Sequence, residues 1–341
     1  MREDYDPHYF AAEIVRVRSL GEGADGQVDE YKHRPTGRVF AIKTPTKSSG
    51  AKENIYAEGE LMKMLQKDFS HRHVSRLVCF LPRFTGPRGP ALVYEMAEYG
   101  NVVHYRQAWK DQQYDAGHST TIQEAQVWKL FRDMALALDF IHKRGVLHQD
   151  IKPDNIVVAR PIMTSSRSRI PLLPEFKLCD FSRGYDTFAR HRKPYQWCGT
   201  MAYAPPVSER YEPLFSSDMW MLGATLQEFA LGCNPMMSRR QVIAHLNRAG
   251  EPCPPHHCEA KWAEAKWSWK FAACYRPLNV PKSELQHRWD TGEMSRSHRP
   301  FSDFLNEMYK SLFDENYERR ATAKQLRDSL VPEIEKYRLR A

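Results

Sequence analysis

The sequence predicts an α+β fold with two lobes: an N-terminal antiparallel sheet with one helix over residues 14–96, and a mainly helical lobe over 101–331. Runs of β-branched and aromatic residues dominate before residue 96, and helical periodicity dominates after residue 101. A chain of 341 residues with 42% hydrophobic content is long enough for two such units. Residues 1–13 are interpreted as an N-terminal extension and residues 332–341 as a C-terminal tail.

The N-terminal lobe is predicted to contain strands around a single helix. Residues 14–43 follow the pattern strand, Gly-rich turn, strand, loop, strand. Residues 51–67 have helical periodicity, with Glu58 on the apolar face, and Gly59 weakens this helix by about 1 kcal/mol relative to alanine. Two further strand-like runs complete the sheet, at Leu77–Leu81 and Ala91–Met96.

The C-terminal lobe is predicted to consist mainly of helices. Thr121 and Glu124 have the spacing of a capping box for a long helix that ends at Gly145. Two short strands are expected next, at Asn155–Val158 and Phe176–Cys179. Further helices are expected at about 217–231, 301–312 and 322–330, and two segments are interpreted as insertions, at about 159–174 and 233–300.

The bulk composition is typical of an ordinary soluble enzyme with a basic charge. The formal net charge is +8 and the pI about 9.0, but the cationic residues are scattered, so no nucleic-acid partner is expected. The start lacks the pattern of a secretory signal, and no apolar run reaches the roughly 18 residues of a membrane span. Seven irregularly spaced cysteines do not suggest a disulfide scaffold, so an intracellular location, cytoplasmic or nuclear, is expected without membrane attachment.

A glycine-rich motif lies between the first two predicted strands. The pattern is G-x-G-x-x-G-x-V, formed by Gly21, Glu22, Gly23, Gly26 and Val28. Glycines let backbone amides approach phosphate groups closely, which favours a phosphate-binding turn. A dinucleotide-binding fold would place a helix after the glycines, whereas a strand follows here.

A lysine at the end of the third predicted strand and a glutamate on the next helix form a candidate ion pair. Lys43 follows the run Val39-Phe40-Ala41-Ile42, and Glu58 lies on the inner face of the helix. Such a pair would leave Lys43 charged and directed at the phosphates of a nucleotide. The alternative, two unrelated surface charges, is the commoner case for an isolated lysine and glutamate.

The run from His148 to Asn155 contains the groups needed for phosphoryl transfer. Asp150 is the candidate catalytic base, and Lys152 would neutralise the transferring phosphate. Asn155 and Asp180 carry the hard oxygen ligands that Mg²⁺ prefers, so they are the candidate metal ligands. Any one of these residues alone would be read as a solvated loop residue, but their joint occurrence in this order favours a common site.

In these motifs the chain resembles the eukaryotic protein kinase family, as a divergent member of the serine/threonine branch. The resemblance extends over about residues 14–331, and Lys152 and Gly199-Thr200 are the residues that favour the serine/threonine branch. The matching motifs, in order, are 21–28, Lys43, Glu58, 148–155, Asp180-Phe181, 199–205, Asp218-Met219-Trp220 with Gly223, and Arg320.

The resemblance implies a serine/threonine protein kinase that uses ATP and Mg²⁺ and has a protein hydroxyl as its partner. It implies that Tyr94 is the gatekeeper of the adenine pocket and that Asp218 anchors the catalytic loop. It places four further residues around the adenine ring: Val28, Ala41, Glu95 and Ala97. The sequence identifies neither the substrate nor an oligomeric state.

Three residues depart from the family pattern. Gln149 replaces an arginine that normally pairs with a phosphorylated activation loop, which predicts activity independent of such phosphorylation. Ser182 stands in place of a glycine beside the candidate metal ligand. Pro206 replaces a glutamate that normally pairs with the buried arginine, so Arg320 must pair with a nearby Glu209 or Glu212, or be solvated.

These departures motivate an alternative function, a pseudokinase that binds ATP and acts as an interaction scaffold. A small-molecule phosphotransferase is disfavoured by the 199–205 and 218–223 motifs. Arg190-His191-Arg192-Lys193 is more readily a solvated charge run than a docking site for acidic partners. The Cys253–Cys258 cluster fits no common zinc pattern, and the nearby tryptophans are interpreted as local packing residues: Trp262, Trp267 and Trp269.

Overall fold

The computed structural model describes most of the chain between residues 7 and 338. The segments outside the described residues are 1–6, 24–25, 83, 85–88, 162–169, 190–196, 213, 237–238, 251, 254, 256–272, 289–293, 295–296 and 339–341. The predicted basic run Arg190–Lys193, the residues His256, His257 and Cys258, and the three clustered tryptophans all lie outside the described residues.

The N-terminal lobe is built on a five-stranded antiparallel sheet of order β1-β2-β3-β5-β4. Its strands are β1 Ile14–Glu22, β2 Gly26–His33, β3 Val39–Pro45, β4 Leu77–Leu81 and β5 Ala91–Glu95. Two helices belong to this lobe, α1 Pro7–Glu13 and α2 Ala51–Leu65. The predicted strands and the predicted helix of this lobe are therefore present, with the additional helix α1.

The rest of the chain is mainly helical, which confirms the α+β architecture predicted from the sequence. Its helices are α3 Val102–Asp115, α4 Glu124–His142, α5 Phe215–Leu231, α6 Arg239–Ala249, α7 Lys282–Arg288, α8 Asp303–Lys310 and α9 Ala323–Arg338. Two small strand pairs accompany them: β6 Val146–Leu147 with β9 Tyr185–Asp186, and β7 Ile156–Ala159 with β8 Glu175–Leu178. Within the described ranges, no helix has the length and apolar character needed to cross a membrane.

The predicted capping box at the start of α4 is wrong. The helix begins at Glu124 and its N-cap is Gln123, whose backbone N–H donates to the Gln126 side chain at 2.8 Å. The carboxylate of Glu124 instead accepts a hydrogen bond from the backbone N–H of Ser302, the N-cap residue of α8, at 2.9 Å. The Glu124 side chain therefore bonds a residue that is distant in the sequence and does not cap α4.

Two apolar cores lie on opposite faces of the sheet. Leu92 and Tyr94 of β5 face the large core, which continues through α2 into the helical lobe. Ala91 and Val93 point the other way, because successive side chains of a strand alternate between its faces. They belong to a smaller outer core, completed by Phe10, Phe40, Ile42 and Leu81.

Phe10 shows that part of the predicted N-terminal extension packs against the lobe. Its side chain is 1% exposed, stacks on His33 with ring centroids 5.6 Å apart, and meets Phe40 edge to face at 5.3 Å. Glu13 of the same helix contacts the His33 ring with Oε2 and Nε2 2.9 Å apart. Helix α1 therefore covers the outer core, a role that the composition of residues 1–13 did not indicate.

Phe10→Ala is expected to lower the free energy of unfolding by about 3–5 kcal/mol, because it empties a closely packed site in the outer core. Denaturant unfolding followed by tryptophan fluorescence would measure the change. The control Tyr114→Ala removes an aromatic ring that is 77% exposed and is expected to change the same quantity by no more than about 0.5 kcal/mol. Equal effects of the two substitutions would contradict the structural role given to Phe10.

Candidate active site

The glycine-rich motif forms the turn between β1 and β2. Gly21 and Glu22 end β1, Gly26 begins β2, and the backbone N–H of Gly23 donates to the carbonyl oxygen of Gly26 at 2.8 Å. A Cβ at position 26 would lie 2.9 Å from Cε of Lys43, so a side chain there would displace this lysine. Among the described residues, no atom lies within 4 Å of a Cβ built at Gly21.

Lys43, Glu58 and Asp180 meet although they are far apart in the sequence; Lys43 and Glu58 are buried, and the Asp180 side chain is partly exposed. The ammonium Nζ of Lys43, on β3, lies 2.6 Å from Oε2 of Glu58 on α2. The same Nζ lies 2.7 Å from Oδ1 of Asp180, in the loop after β8. The structure thus brings together three of the sequence-predicted site residues.

Burial and mutual attraction decide the charges of this cluster. Burial alone would lower the pKa of Lys43, but the carboxylates of Asp180 and Glu58 raise it above its ordinary value. Burial alone would raise the pKa of Asp180, but Lys43 holds it well below its ordinary value. Lys43 is therefore a cation and Asp180 an anion at neutral pH. Burial raises the pKa of Glu58, and Lys43 opposes that shift.

The backbone around Asp180 is held in an uncommon conformation. Asp180 has φ 61° and Gln149 has φ 66°, and among the described residues these are the only non-glycine residues in the left-handed region. The backbone N–H of Ser182 donates to Oδ1 of Asp180 at 3.3 Å. This bond uses the main chain, so Ser182, one of the departures noted above, keeps a contact that a glycine would also make.

Asp218, on α5, anchors the loop that carries Asp150. Its two carboxylate oxygens accept hydrogen bonds from the backbone N–H groups of His148 and Gln149, each at 2.9 Å. The ring of His148 also bonds the carbonyl oxygen of Cys179 at 3.0 Å. Because Asp218 is fully buried, these bonds fix the loop to the core of the helical lobe.

The carboxylate of Asp150 lies at the centre of a hydrogen-bonded group. Its Oδ2 is 2.9 Å from Nδ2 of Asn155 and 2.9 Å from Nζ of Lys152. Its Oδ1 accepts the backbone N–H of Thr200 at 2.7 Å, and Lys152 donates to the Thr200 hydroxyl at 2.7 Å. The sequence placed Thr200 only in a motif that distinguishes branches of the family, and its contact with both charged residues was not predicted.

The residues that the sequence predicts to contact adenine lie on β2 and β3, at the end of β5 and just after it. Val28 and Ala41 are half-buried on β2 and β3, and Ala41 pairs with Tyr94 across the sheet. Glu95 ends β5, and its side chain forms an ion pair with Lys177. In the described part of the chain, the backbone N–H of Ala97 has no hydrogen-bond partner, which leaves it available to a ligand.

The structure decides between the partners proposed for Arg320. Its Nη2 lies 2.7 Å from Oε1 of Glu209 and its Nη1 lies 2.8 Å from Oε2, and both side chains are fully buried. Ser217 on α5 donates to the same carboxylate at 2.9 Å. Glu209 thus compensates for Pro206, whereas Glu212 is exposed.

Glu209→Gln is expected to lower the free energy of unfolding by about 3–5 kcal/mol, because it leaves a buried guanidinium without its counter-charge. Glu212→Gln is the matched control, and a change within about 0.5 kcal/mol is expected for this exposed position. Urea unfolding of both variants would measure the difference. A Glu209→Gln protein as stable as its parent would show that the ion pair does not support the fold.

One further cluster has the composition of a metal site. Ligand atoms of His73, Asp133 and Glu175 all lie within 4.8 Å of one another. Lys129 contacts both carboxylates, with its Nζ 3.7 Å from Glu175, and Arg72 donates to both oxygens of Glu175 at 2.7 and 2.8 Å. Protein cations therefore already neutralise this cluster, and burial lowers the pKa of His73 to about 3.

Comparisons with known proteins agree with this geometry. The model of the protein kinase domain family matches residues 14–330. Aurora kinase of Schizosaccharomyces pombe is 30% identical over 220 residues, which cover 64% of this chain and 54% of that protein.

Serine/threonine-protein kinase atg1 of the same organism is 28% identical over 252 residues, which cover 66% of this chain and 29% of that protein. The hormonally up-regulated neu tumor-associated kinase homolog of Xenopus tropicalis is 28% identical over 255 residues, or 70% of this chain and 32% of that protein. The chain thus spans about half or less of the length of these relatives. Together, the bilobal fold and the family match establish that this chain belongs to the protein kinase family.

Proposed function

We propose that this protein is an ATP-dependent serine/threonine protein kinase that transfers the γ-phosphate of ATP to a protein hydroxyl. The proposal rests on one contact, which joins the segment that carries Asp180 to the loop that carries Asp150 and Asn155. The backbone N–H of Cys179 donates to the carbonyl oxygen of Asn155 at 2.9 Å. Because of this bond, Asp180 and the Lys43 side chain that pairs with it lie beside that loop.

The residues present fit a nucleotide with a divalent metal ion, which we propose is Mg²⁺. The amide nitrogen of Asn155 is engaged by Asp150, so its carbonyl Oδ1 is left as a hard oxygen ligand. Asp180 is a carboxylate whose Oδ1 is bonded to Lys43, which leaves Oδ2 for an ion. The metal ion would supply neutralisation of phosphate charge.

The protein's own groups provide binding, orientation and proton transfer. Lys43, held charged by Glu58, would bind the nucleotide phosphates, and the N–H of Ala97 would bind the adenine edge. Asp150 would orient the substrate hydroxyl and accept its proton. Lys152, 2.9 Å from Asp150, would neutralise charge on the transferred phosphate.

The alternative, a pseudokinase scaffold, receives less support. One of the three departures that motivate it is compensated, because Glu209 pairs with Arg320. At the second, the backbone N–H of Ser182 contacts Asp180, as that of a glycine would. The third, Gln149, is 1% exposed, and within the described residues neither its amide nitrogen nor its amide oxygen has a hydrogen-bond partner. No hydrogen bond within that part of the chain therefore joins its side chain to Lys43, Asn155 or Asp180.

We also infer an intracellular location, cytoplasmic or nuclear. The six cysteines in the described part of the chain are free thiols, a state that a reducing compartment maintains. Localisation of a tagged protein by fluorescence microscopy would test this inference.

A peptide array tests the serine/threonine assignment. Peptides that differ only in a central serine, threonine or tyrosine would be incubated with purified protein and labelled ATP. Phosphorylation of serine or threonine peptides alone is expected, and exclusive labelling of tyrosine peptides would contradict the assignment.

Phosphatase treatment is expected to leave the transfer rate within about twofold of the untreated rate. A phosphorylated activation loop stabilises a kinase through charge-assisted bonds to cationic side chains, and the neutral amide of Gln149 cannot form such a bond. The rate would be measured after removal of the phosphatase, with phosphate loss verified by mass spectrometry. Loss of activity on treatment would contradict the prediction.

A further inference from the structure

The hydroxyl of Tyr94 contacts the ion pair from the side opposite Lys43. Tyr94 lies on β5, is 9% exposed, and donates to Oε1 of Glu58 at 2.8 Å. Lys43 binds the other carboxylate oxygen, Oε2, at 2.6 Å. Within the described residues, Tyr94 provides the only hydrogen bond to Oε1. Both oxygens of this buried carboxylate therefore have a donor, Tyr94 for Oε1 and Lys43 for Oε2.

This second donor has a clear physical role, because a single cation serves two carboxylates. Lys43 lies 2.6 Å from Glu58 and 2.7 Å from Asp180, so its positive charge is shared between them. The thiol of Cys179 and the phenol of Tyr94, which also face this region, add no cation. Tyr94 therefore adds a neutral hydrogen-bond donor that stabilises the buried carboxylate of Glu58.

Gly59 allows α2 to lie close enough to β5 for this bond to form. A Cβ at position 59 would lie 3.0 Å from Cδ2 of Leu92 and 3.1 Å from Cδ2 of Phe80. A side chain at position 59 would require these two neighbours to shift, so glycine keeps α2 closely packed against β4 and β5. Glu58, the neighbouring residue, thus lies within hydrogen-bond distance of Tyr94.

We propose that the Tyr94 hydroxyl is a positioning group, which holds Glu58 and helix α2 against β5 and thereby keeps Lys43 directed into the nucleotide site. This inference rests on the proposed kinase function and adds a residue to it. Removing the hydroxyl would leave Oε1 buried without a donor, which favours outward movement of α2 toward water. Because α2 then carries Glu58 away, Lys43 would lose one of its two anchors.

A double-mutant cycle on Tyr94 and Glu58 tests the proposal. Tyr94→Phe keeps the ring and removes only the hydroxyl, and it is expected to lower kcat about tenfold while KM for ATP stays within about threefold. In a Glu58→Gln background the same change is expected to lower kcat less than about twofold, since the two groups act through one contact. Equal effects of Tyr94→Phe in both backgrounds would overturn the proposal.

Tyr309→Phe is the matched control, because it removes another buried phenol hydroxyl, one that donates to Gln227 at 2.6 Å in the helical lobe. Its kcat is expected to equal that of the parent. Amide hydrogen exchange supplies a readout that needs no activity: exchange in α2 is expected to rise about tenfold in Tyr94→Phe and to stay unchanged in Tyr309→Phe. Unchanged α2 exchange in Tyr94→Phe would overturn the positioning role, whereas absence of phosphate transfer by the parent would overturn only the proposed function.

Discussion

Asp150→Ala is expected to lower kcat by about 10²- to 10⁴-fold, the range over which general-base catalysis contributes. The carboxylate that would orient the substrate hydroxyl and accept its proton is absent from this variant. The nucleotide contacts proposed for Lys43 and Ala97 are unaffected, so the dissociation constant for ATP is expected to change by less than about threefold. Steady-state kinetics and equilibrium nucleotide binding would measure the two quantities.

Asp154→Ala is the matched control for this experiment, because it removes an exposed carboxylate from the same loop. Its kcat is expected to stay within about threefold of the parent value, since an exposed loop carboxylate supplies no proton transfer. Full activity of Asp150→Ala would refute the role assigned to Asp150. Loss of ATP binding in that variant would instead show that Asp150 supports the structure of the site.

Lys43→Met is expected to lower kcat/KM for ATP by at least about 100-fold, because the phosphates lose their positioning cation. The same change leaves the buried carboxylate of Glu58 and the partly exposed carboxylate of Asp180 without the cation that they share. The free energy of unfolding is therefore expected to fall by about 3–5 kcal/mol as well. Initial rates over a range of ATP concentrations and denaturant unfolding would separate the two effects.

Lys63→Met provides the comparison, since Lys63 is a half-exposed lysine on α2 that pairs with Glu60 at the surface. It is expected to leave kcat/KM unchanged and to alter stability by no more than about 0.5 kcal/mol. If Lys43→Met turned over ATP at the parent rate, Lys43 would not be the residue that positions the phosphates.

The sequence predicted much of the fold because local patterns determine many of its elements. The strands of the N-terminal sheet and the helix at residues 51–67 follow from side-chain periodicity, and the observed α2 spans Ala51–Leu65. The pairing of Lys43 with Glu58 was proposed from the face of α2 that carries Glu58. This pairing requires only that α2 pack against the strand that carries Lys43. The local pattern of the helix was therefore sufficient to predict the pair.

Sequence reasoning failed where distant segments compete for the same side chain. Glu124 has the spacing of a capping residue, but it binds Ser302 at the start of α8. Glu209 and Glu212 are equivalent partners for Arg320 in the sequence, and only the fold buries one and exposes the other. The bond from Tyr94 to Glu58 depends on the spacing between α2 and β5, which no local pattern records.

Transfer of labelled phosphate from ATP to a generic protein, with Mg²⁺ and with a chelator, tests the central claim most directly. The parent is expected to label serine or threonine in the presence of Mg²⁺, and labelling is expected to stop when the chelator is added. The Asp150→Ala variant is expected to give no labelling. Absence of labelling by well-folded parent protein that binds ATP would contradict the enzymatic function and favour the scaffold.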